Sequence, residues 1–196
     1  MIFSSVGVLI GHFVDISRFE RYVYAHSAEK LAEIQKRYAY YDQMTGLKNR
    51  RAYAEHIESL GGDLPQDLCI IMADINGLKT TNDTIGHEAG DELINGAADC
   101  LRQAFSCTDD VYRIGGDEFC VIMKGSVEEA QKCIGRLEEI TAKRKGRYVE
   151  SVSISCGAES AAGHENIETV VKEADSKMYE IKNQYYITSG KDRRKQ

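Results

Sequence analysis

Eight residues, Leu68–Ile75, read LCIIMADI, an apolar run whose one charge falls near its end. Turn signals bound it, Pro65 before and Asn76-Gly77 after. Such a run reads as a strand at the centre of a sheet, buried on both sides. A strand of that kind needs helices as cover, so the segments around it must supply them.

They do. Glu88 to about Phe105, Val127 to about Arg144 and Ile167 to about Tyr186 have helical spacing. A helix is also expected from near Asn49 to about Leu60, before the loop Gly61-Gly62-Asp63. Asp110–Ile114 and Phe119–Met123 read as two strands joined at Gly115-Gly116-Asp117-Glu118, where glycine would accept positive φ in a tight hairpin. Val149–Gly157 alternates and reads as another strand. Interleaved strands and helices predict an α/β fold, an α+β sandwich. Upstream, residues 5–17 read as a strand. Arg18 to about Tyr41 reads as an amphipathic linker helix with Phe19, Tyr22, Ala28, Leu31, Ile34 and Tyr38 on one stripe. The tail GKDRRKQ is charged and expected to fray.

A net charge of −6 argues against a nucleic-acid-binding surface, which needs a basic face. The apolar stretch Val6–Ile10 is far short of the ~20 residues of a membrane span. No basic region or cleavage site follows Met1, which predicts no signal peptide. The six cysteines form no C-x-x-C pair, and no His cluster has metal-ligand spacing, so the cysteines read as small buried hydrophobes in a reducing cytoplasm. His12, His26, His56 and His164 suggest no chemistry.

Two acidic features do. Asp74 closes an apolar strand, where α/β sheets place ligands, and a carboxylate there needs a cation or hydrogen bonds. Asn76-Gly77-Leu78 follows, a turn whose backbone N–H groups can face phosphates, with Lys79 as counter-charge. Asp117-Glu118 at the hairpin tip places two acids side by side. If this tip lies beside Asp74, the carboxylates converge into a magnesium site suited to phosphoryl transfer.

The sequence GGDEF at Gly115–Phe119 resembles the signature of the diguanylate cyclases. The rest of that pattern is present in order: D-x-x-T-G-L-x-N-R-R at Asp42–Arg51, D-I-N-G-L-K-x-x-N-D at Asp74–Asp83, G-H-x-x-G-D at Gly86–Asp91, Y-R-I at Tyr112–Ile114, S-I-S-C-G at Ser153–Gly157 and A-D-x-x-M-Y-x-x-K at Ala174–Lys182. The resemblance implies a central, mainly antiparallel five-stranded sheet flanked by helices, of the nucleotidyl-cyclase or polymerase-palm kind. It implies residues 42–187 as the GGDEF domain, 188–196 as a tail, 18–41 as a signalling linker, and 1–17 as the end of an upstream, PAS-like sensory module.

It also implies roles. Asp74 and the Ile75 carbonyl would hold Mg2+ (or Mn2+), completed by Asp117 and Glu118, one of which would favour deprotonation of the attacking hydroxyl. Gly77, Leu78, Lys79 and Lys182 would hold the triphosphate of GTP. Asn82 and Asp91 would contact guanine, whose paired N–H donors suit a carboxylate, and His87 would shape the base pocket. Two GTP molecules would condense to cyclic di-GMP with release of pyrophosphate across a homodimer axis. The alternatives are an inactive domain that binds GTP or a partner, and a cyclase with a different product, which Asp91 disfavours.

Three positions depart from the family pattern. The inhibitory R-x-x-D reads Ser106-Cys107-Thr108-Asp109, without its Arg, which predicts weak or absent product inhibition there. Tyr185-Tyr186 stand where many relatives have Gly and a basic residue. Asn76-Gly77-Leu78 stand in place of Asp-Phe-Phe.

Overall fold

The computed structural model describes residues 21–24, 26–61 and 64–189. The expected strand over 5–17, the linker residues before 21 and the tail from 190 lie outside them. The chain divides into two compact units, Met1–Ala39 and Tyr40–Gln196. Residues 21–24 and 26–40 are helical (α1), and Tyr22, Leu31, Ile34 and Tyr38 of the expected stripe are exposed.

The second unit carries the sheet. Its helices are α2 (Arg50–Ser59), α3 (Leu78–Thr84), α4 (His87–Ala104), α5 (Val127–Lys143) and α6 (Ile167–Thr188). Its strands are β1 (Leu68–Ile75), β2 (Val111–Arg113), β3 (Glu118–Lys124) and β4 (Ile154–Ser160), in the order β2-β3-β1-β4, every pair antiparallel. β1 is central and all eight of its residues are buried, as its composition requires.

Strand alternation sorts the core into two layers. Cys69, Ile71, Ala73 and Ile75 join the cluster built with Leu93, Ala97 and Leu101 of α4 and Leu137 of α5. Leu68, Ile70 and Met72 join the other, with Ile167, Val170, Ala174 and Met178 of α6. By the same alternation Asp74 falls on the α6 face. So does Glu118, its cross-strand partner, as do Cys120 and Ile122 beyond it.

The helix ends follow local chemistry. The Asn49 side chain accepts from Ala52 N–H to start α2, and Asn166 accepts from Thr169 N–H to start α6. Ser126 and Glu129 form a reciprocal capping box at α5.

Three expectations need correction. The sheet has four strands among the described residues, not five. At the β2 edge Lys48 makes one bridge to Tyr112 and another to Tyr41, then the chain turns into α2, leaving no length for a fifth strand. β4 starts at Ile154 rather than Val149, because Ile154 pairs with Ile75, where β1 ends. The preceding segment is instead held by Glu92, whose carboxylate accepts from the N–H groups of Arg147, Tyr148 and Val149. Finally, neither Gly115 nor Gly116 has positive φ. A Cβ at Gly115 would meet the Glu118 carboxylate, an exposed side chain that can turn aside.

Candidate active site

The strand register places Asp74 directly opposite Glu118. Ile75 N–H donates to the Asp117 carbonyl at 3.0 Å, which ties the hairpin tip to the end of β1. Asp74 and the distant pair Asp117-Glu118 therefore gather at one end of the sheet. Like charges in cross-strand positions repel, so the cluster calls for a cation.

α6 supplies one. Lys182, 8 % exposed, hydrogen-bonds Asp74 Oδ1, and its Nζ lies 3.9 Å from Asp117 Oδ2. Gly157 makes this delivery possible. A Cβ there would collide with the α6 backbone at Ala174, Lys177 and Met178, so only glycine lets the helix lie this close to β4. The Lys182 ammonium does not neutralise the site. Burial pushes the Asp74 carboxyl up to about 6; the Lys182 hydrogen bond opposes the shift, and the charges of Asp117 and Glu118 add to it. Asp117 is partly exposed and Glu118 exposed, so the acidic cluster opens to solvent on one side. Its donors are all oxygens, which matches the preference of Mg2+ for carboxylates, phosphates and water. No three of these acids have ligand atoms within 4.8 Å of one another, so a shared ion would draw them together.

Beside this end of β1 lies the α3–α4 pair. Asn82 is half-buried on α3. Gly90 on α4 leaves the space its side chain occupies, since a Cβ at Gly90 would land on the Asn82 amide. Asp91 follows Gly90 and is exposed, and among the described residues its carboxylate has no hydrogen-bond partner. The spacing G-H-x-x-G-D thus has a steric meaning: the second Gly clears room for Asn82, and Asp91 is presented next to it. His87 and Lys79 are exposed, Gly77 is buried and Leu78 half-buried.

Sequence reasoning assigned no role to several residues that build this end. Asp42 accepts from Thr45 N–H at 2.8 Å and pairs with Arg113 at 3.1 Å. Arg113 in turn donates to the Gly116 carbonyl at 2.9 Å, so a turn 75 residues upstream braces the tip that carries Asp117. Burial alone would raise the Asp42 carboxyl, but hydrogen bonds from Thr45 and Arg113 hold it below its ordinary value. Asn76 donates to Ser153 Oγ and accepts from Ser155 Oγ, both at 3.0 Å, fixing the turn after Asp74. Asp42, Asn76, Ser153, Ser155 and Arg113 were all visible as motif letters, but no spacing rule gave them partners. Tyr186 is a further surprise, since its hydroxyl accepts from Gly77 N–H at 3.4 Å.

On another face, Tyr41, Gly46, Leu47, Lys48, Arg102, Thr108, Asp109 and Val111 line a pocket of about 390 Å³. It contains the Asp109 of the altered R-x-x-D window.

Residues 39–186 match the family model described as "Diguanylate cyclase, GGDEF domain". The chain is 31 % identical over 147 residues to the diguanylate cyclase DgcS of Shewanella oneidensis, covering 74 % of this chain and 50 % of the relative. It is 34 % identical over 164 residues to the diguanylate cyclase VdcA of Vibrio cholerae, covering 79 % and 47 %. It therefore spans about half the length of these relatives. In structure it resembles the coiled coil and GGDEF domain of DgcB from Caulobacter crescentus, solved in complex with c-di-GMP. The TM-score is 0.71 at 23 % identity, over 87 % of this chain and 95 % of that one. The FimX GGDEF domain of Pseudomonas aeruginosa gives a TM-score of 0.65 at 19 % identity, over 74 % and 94 %. At these identities the two structures speak for the fold alone.

Proposed function

The chain belongs to the GGDEF family of diguanylate cyclases, and on that premise we propose that it condenses two GTP into cyclic di-GMP, releasing pyrophosphate, as a two-fold homodimer. The observation that carries this is the meeting of Asp74, Asp117 and Glu118 at one end of the sheet, where the chain passes from β1 into α3, the helix that carries Asn82.

The family generally uses a divalent metal. Here Mg2+, or Mn2+ in its place, would be held by the carboxylates of Asp74, Asp117 and Glu118 and the carbonyl of Ile75. Bound there it would offset phosphate charge and lower the pKa of the attacking hydroxyl. The chain's own groups do the rest. Asp91 accepts the paired donors of the guanine edge, with Asn82 alongside and His87 walling the base. Gly77 and Leu78 N–H groups with Lys79 hold the triphosphate. Lys182, which hydrogen-bonds Asp74, would serve as a counter-charge to the triphosphate. Glu118 faces solvent and accepts the proton of the attacking 3′-hydroxyl.

One protomer holds one GTP, so ring closure needs a second domain facing the first. The exposed stripe of α1 supports a pairing helix that sets this alignment. The upstream residues would bring the signal, in a protein working in the cytoplasm. No described helix is long and apolar enough to cross a membrane.

One observation favours the inactive reading. Lys182 and the Tyr186 hydroxyl occupy the groups on Asp74 and Gly77 that metal and phosphate would use. The test is direct: incubate the dimeric protein with GTP and Mg2+ and assay cyclic di-GMP and pyrophosphate. Product from wild type, and at least about a hundredfold less from Glu118→Gln, is expected. GTP binding without product in a verified dimer assigns the domain to the binding class instead.

A further inference from the structure

At the other end of the sheet, the β4–α6 connection gathers side chains that the nucleotide chemistry does not use. Glu159 lies on β4, His164 in the connecting turn and Glu173 on α6. Glu159 pairs with Ile70, four residues along β1 from Asp74, roughly 13 Å at strand rise. His164 Nε2 stands 3.8 Å from Glu159 Oε1 and 3.9 Å from Glu173 Oε2. One ligand atom from each residue falls within 4.8 Å of the others.

Those separations are too long for hydrogen bonds. They are a little more than the ~3.4 Å that separates tetrahedral ligands on bonds of about 2.1 Å. A small contraction would close the three atoms on one ion. The turn is also held in place. Gly163 N–H donates to Gln66 Oε1 at 3.0 Å, His164 N–H donates to the Ala161 carbonyl at 3.0 Å, and Asn166 caps α6. His164 and Glu159 are mostly buried and Glu173 is half exposed, which leaves a way in. Lys177 takes Glu159 Oε2, so Oε1 stays toward the imidazole while also accepting from Ser160 N–H at 3.1 Å.

We propose that Glu159, His164 and Glu173 form a binding site for a zinc-class divalent cation, with water completing the coordination. The imidazole sets the class, because a nitrogen ligand favours zinc and its neighbours over the oxygen-preferring Mg2+. The ion would clasp the β4–α6 turn to the helix that carries Lys182 nine residues beyond Glu173. None of the three residues belongs to the nucleotide site, so this proposal stands or falls apart from the cyclase reading.

The rival is a protonated His164 held between two carboxylates, with no metal. Imidazole 15N–1H spectra separate the two. Zn2+ is titrated into the full chain with Mg2+ in excess, and the His164 signals are identified by their absence in His164→Ala. The expected result is a His164 shift that saturates with Zn2+ and does not occur with Mg2+ alone, together with at least about tenfold weaker Zn2+ binding in Glu173→Gln. His164 signals that follow pH but ignore Zn2+ overturn the proposal, as does unchanged affinity in Glu173→Gln. Glu173 is half exposed, so that variant carries the test even if His164→Ala does not fold.

Discussion

The two ends of the sheet use the same device to opposite effect. At each, α6 lays a lysine against a carboxylate of the sheet, Lys182 on Asp74 and Lys177 on Glu159. Burial raises both carboxyls. At Glu159 it is outweighed by the Lys177 hydrogen bond, Ser160 N–H and the Lys177 charge, and the carboxyl ends below its ordinary value. At Asp74 burial prevails, helped by two neighbouring acids, and the carboxyl ends near 6. A lysine satisfies a carboxylate only where other donors join it and other acids stay away. The Asp74 end is left short of positive charge, which is the state a metal-binding nucleotide site needs before its ligands arrive.

The sharpest way to break this contrast is to remove one acid. Glu118→Gln should lower cyclic di-GMP synthesis by at least about a hundredfold, as loss of a group acting on charge in the transition state does. Turnover within a few fold of wild type, measured as pyrophosphate release, would place the chemistry elsewhere. Next is the packing that delivers the lysine. Gly157→Val should cost about 3 kcal/mol, because α6 must move off β4. Denaturant unfolding measures it, and unchanged stability would mean the helix is not held by that close approach.

The raised Asp74 carboxyl gives a pH test. Its ionised form, which a metal requires, is depleted as pH falls through about 6. Mg2+ affinity should drop about tenfold between pH 7.5 and 5, the titration expected of one group with that pKa. For the metal-free fold the sign reverses. A raised acid destabilises the folded state when ionised, so its cost is present above about 6 and fades toward pH 4. Calorimetric Mg2+ titration at the two pH values checks the first, and flat affinity refutes it. The smallest effect belongs to the brace. Asp42→Ala should cost about 1 kcal/mol at neutral pH by loosening the Thr45 turn and Arg113. The Asp42 carboxyl is held low, so the stability it contributes is present above its unfolded value and is lost as pH falls through the folded one. Acid unfolding curves of wild type and variant should therefore converge at low pH.

Much of this was written in the chain. The run at Leu68–Ile75 announced a buried central strand because seven apolar residues, broken only by Asp74 near the end, can bury their side chains only between two layers. Asn49, Ser126 and Asn166 set helix starts through their own side chains, a local matter. The motif letters gave the family. Contacts between distant segments were not legible. The length of β4 depended on where β1 ends, and its last pairing, Ile75 with Ile154, joins residues 79 positions apart. Gly90 is a glycine for the space the Asn82 amide takes, not for backbone angle. His164 carried no spacing signal, since its carboxylate neighbours come from a strand before it and a helix after it.

Local order, the alternation of the strands and the choice of acids were therefore fixed by the sequence itself, because propensity, capping and burial act over a few neighbouring residues. Which acid meets which lysine, and how far each carboxyl is pushed from its ordinary value, was decided by the packing of α6 on the sheet. Charge interactions depend on distance and desolvation, and both exist only once the layers have closed.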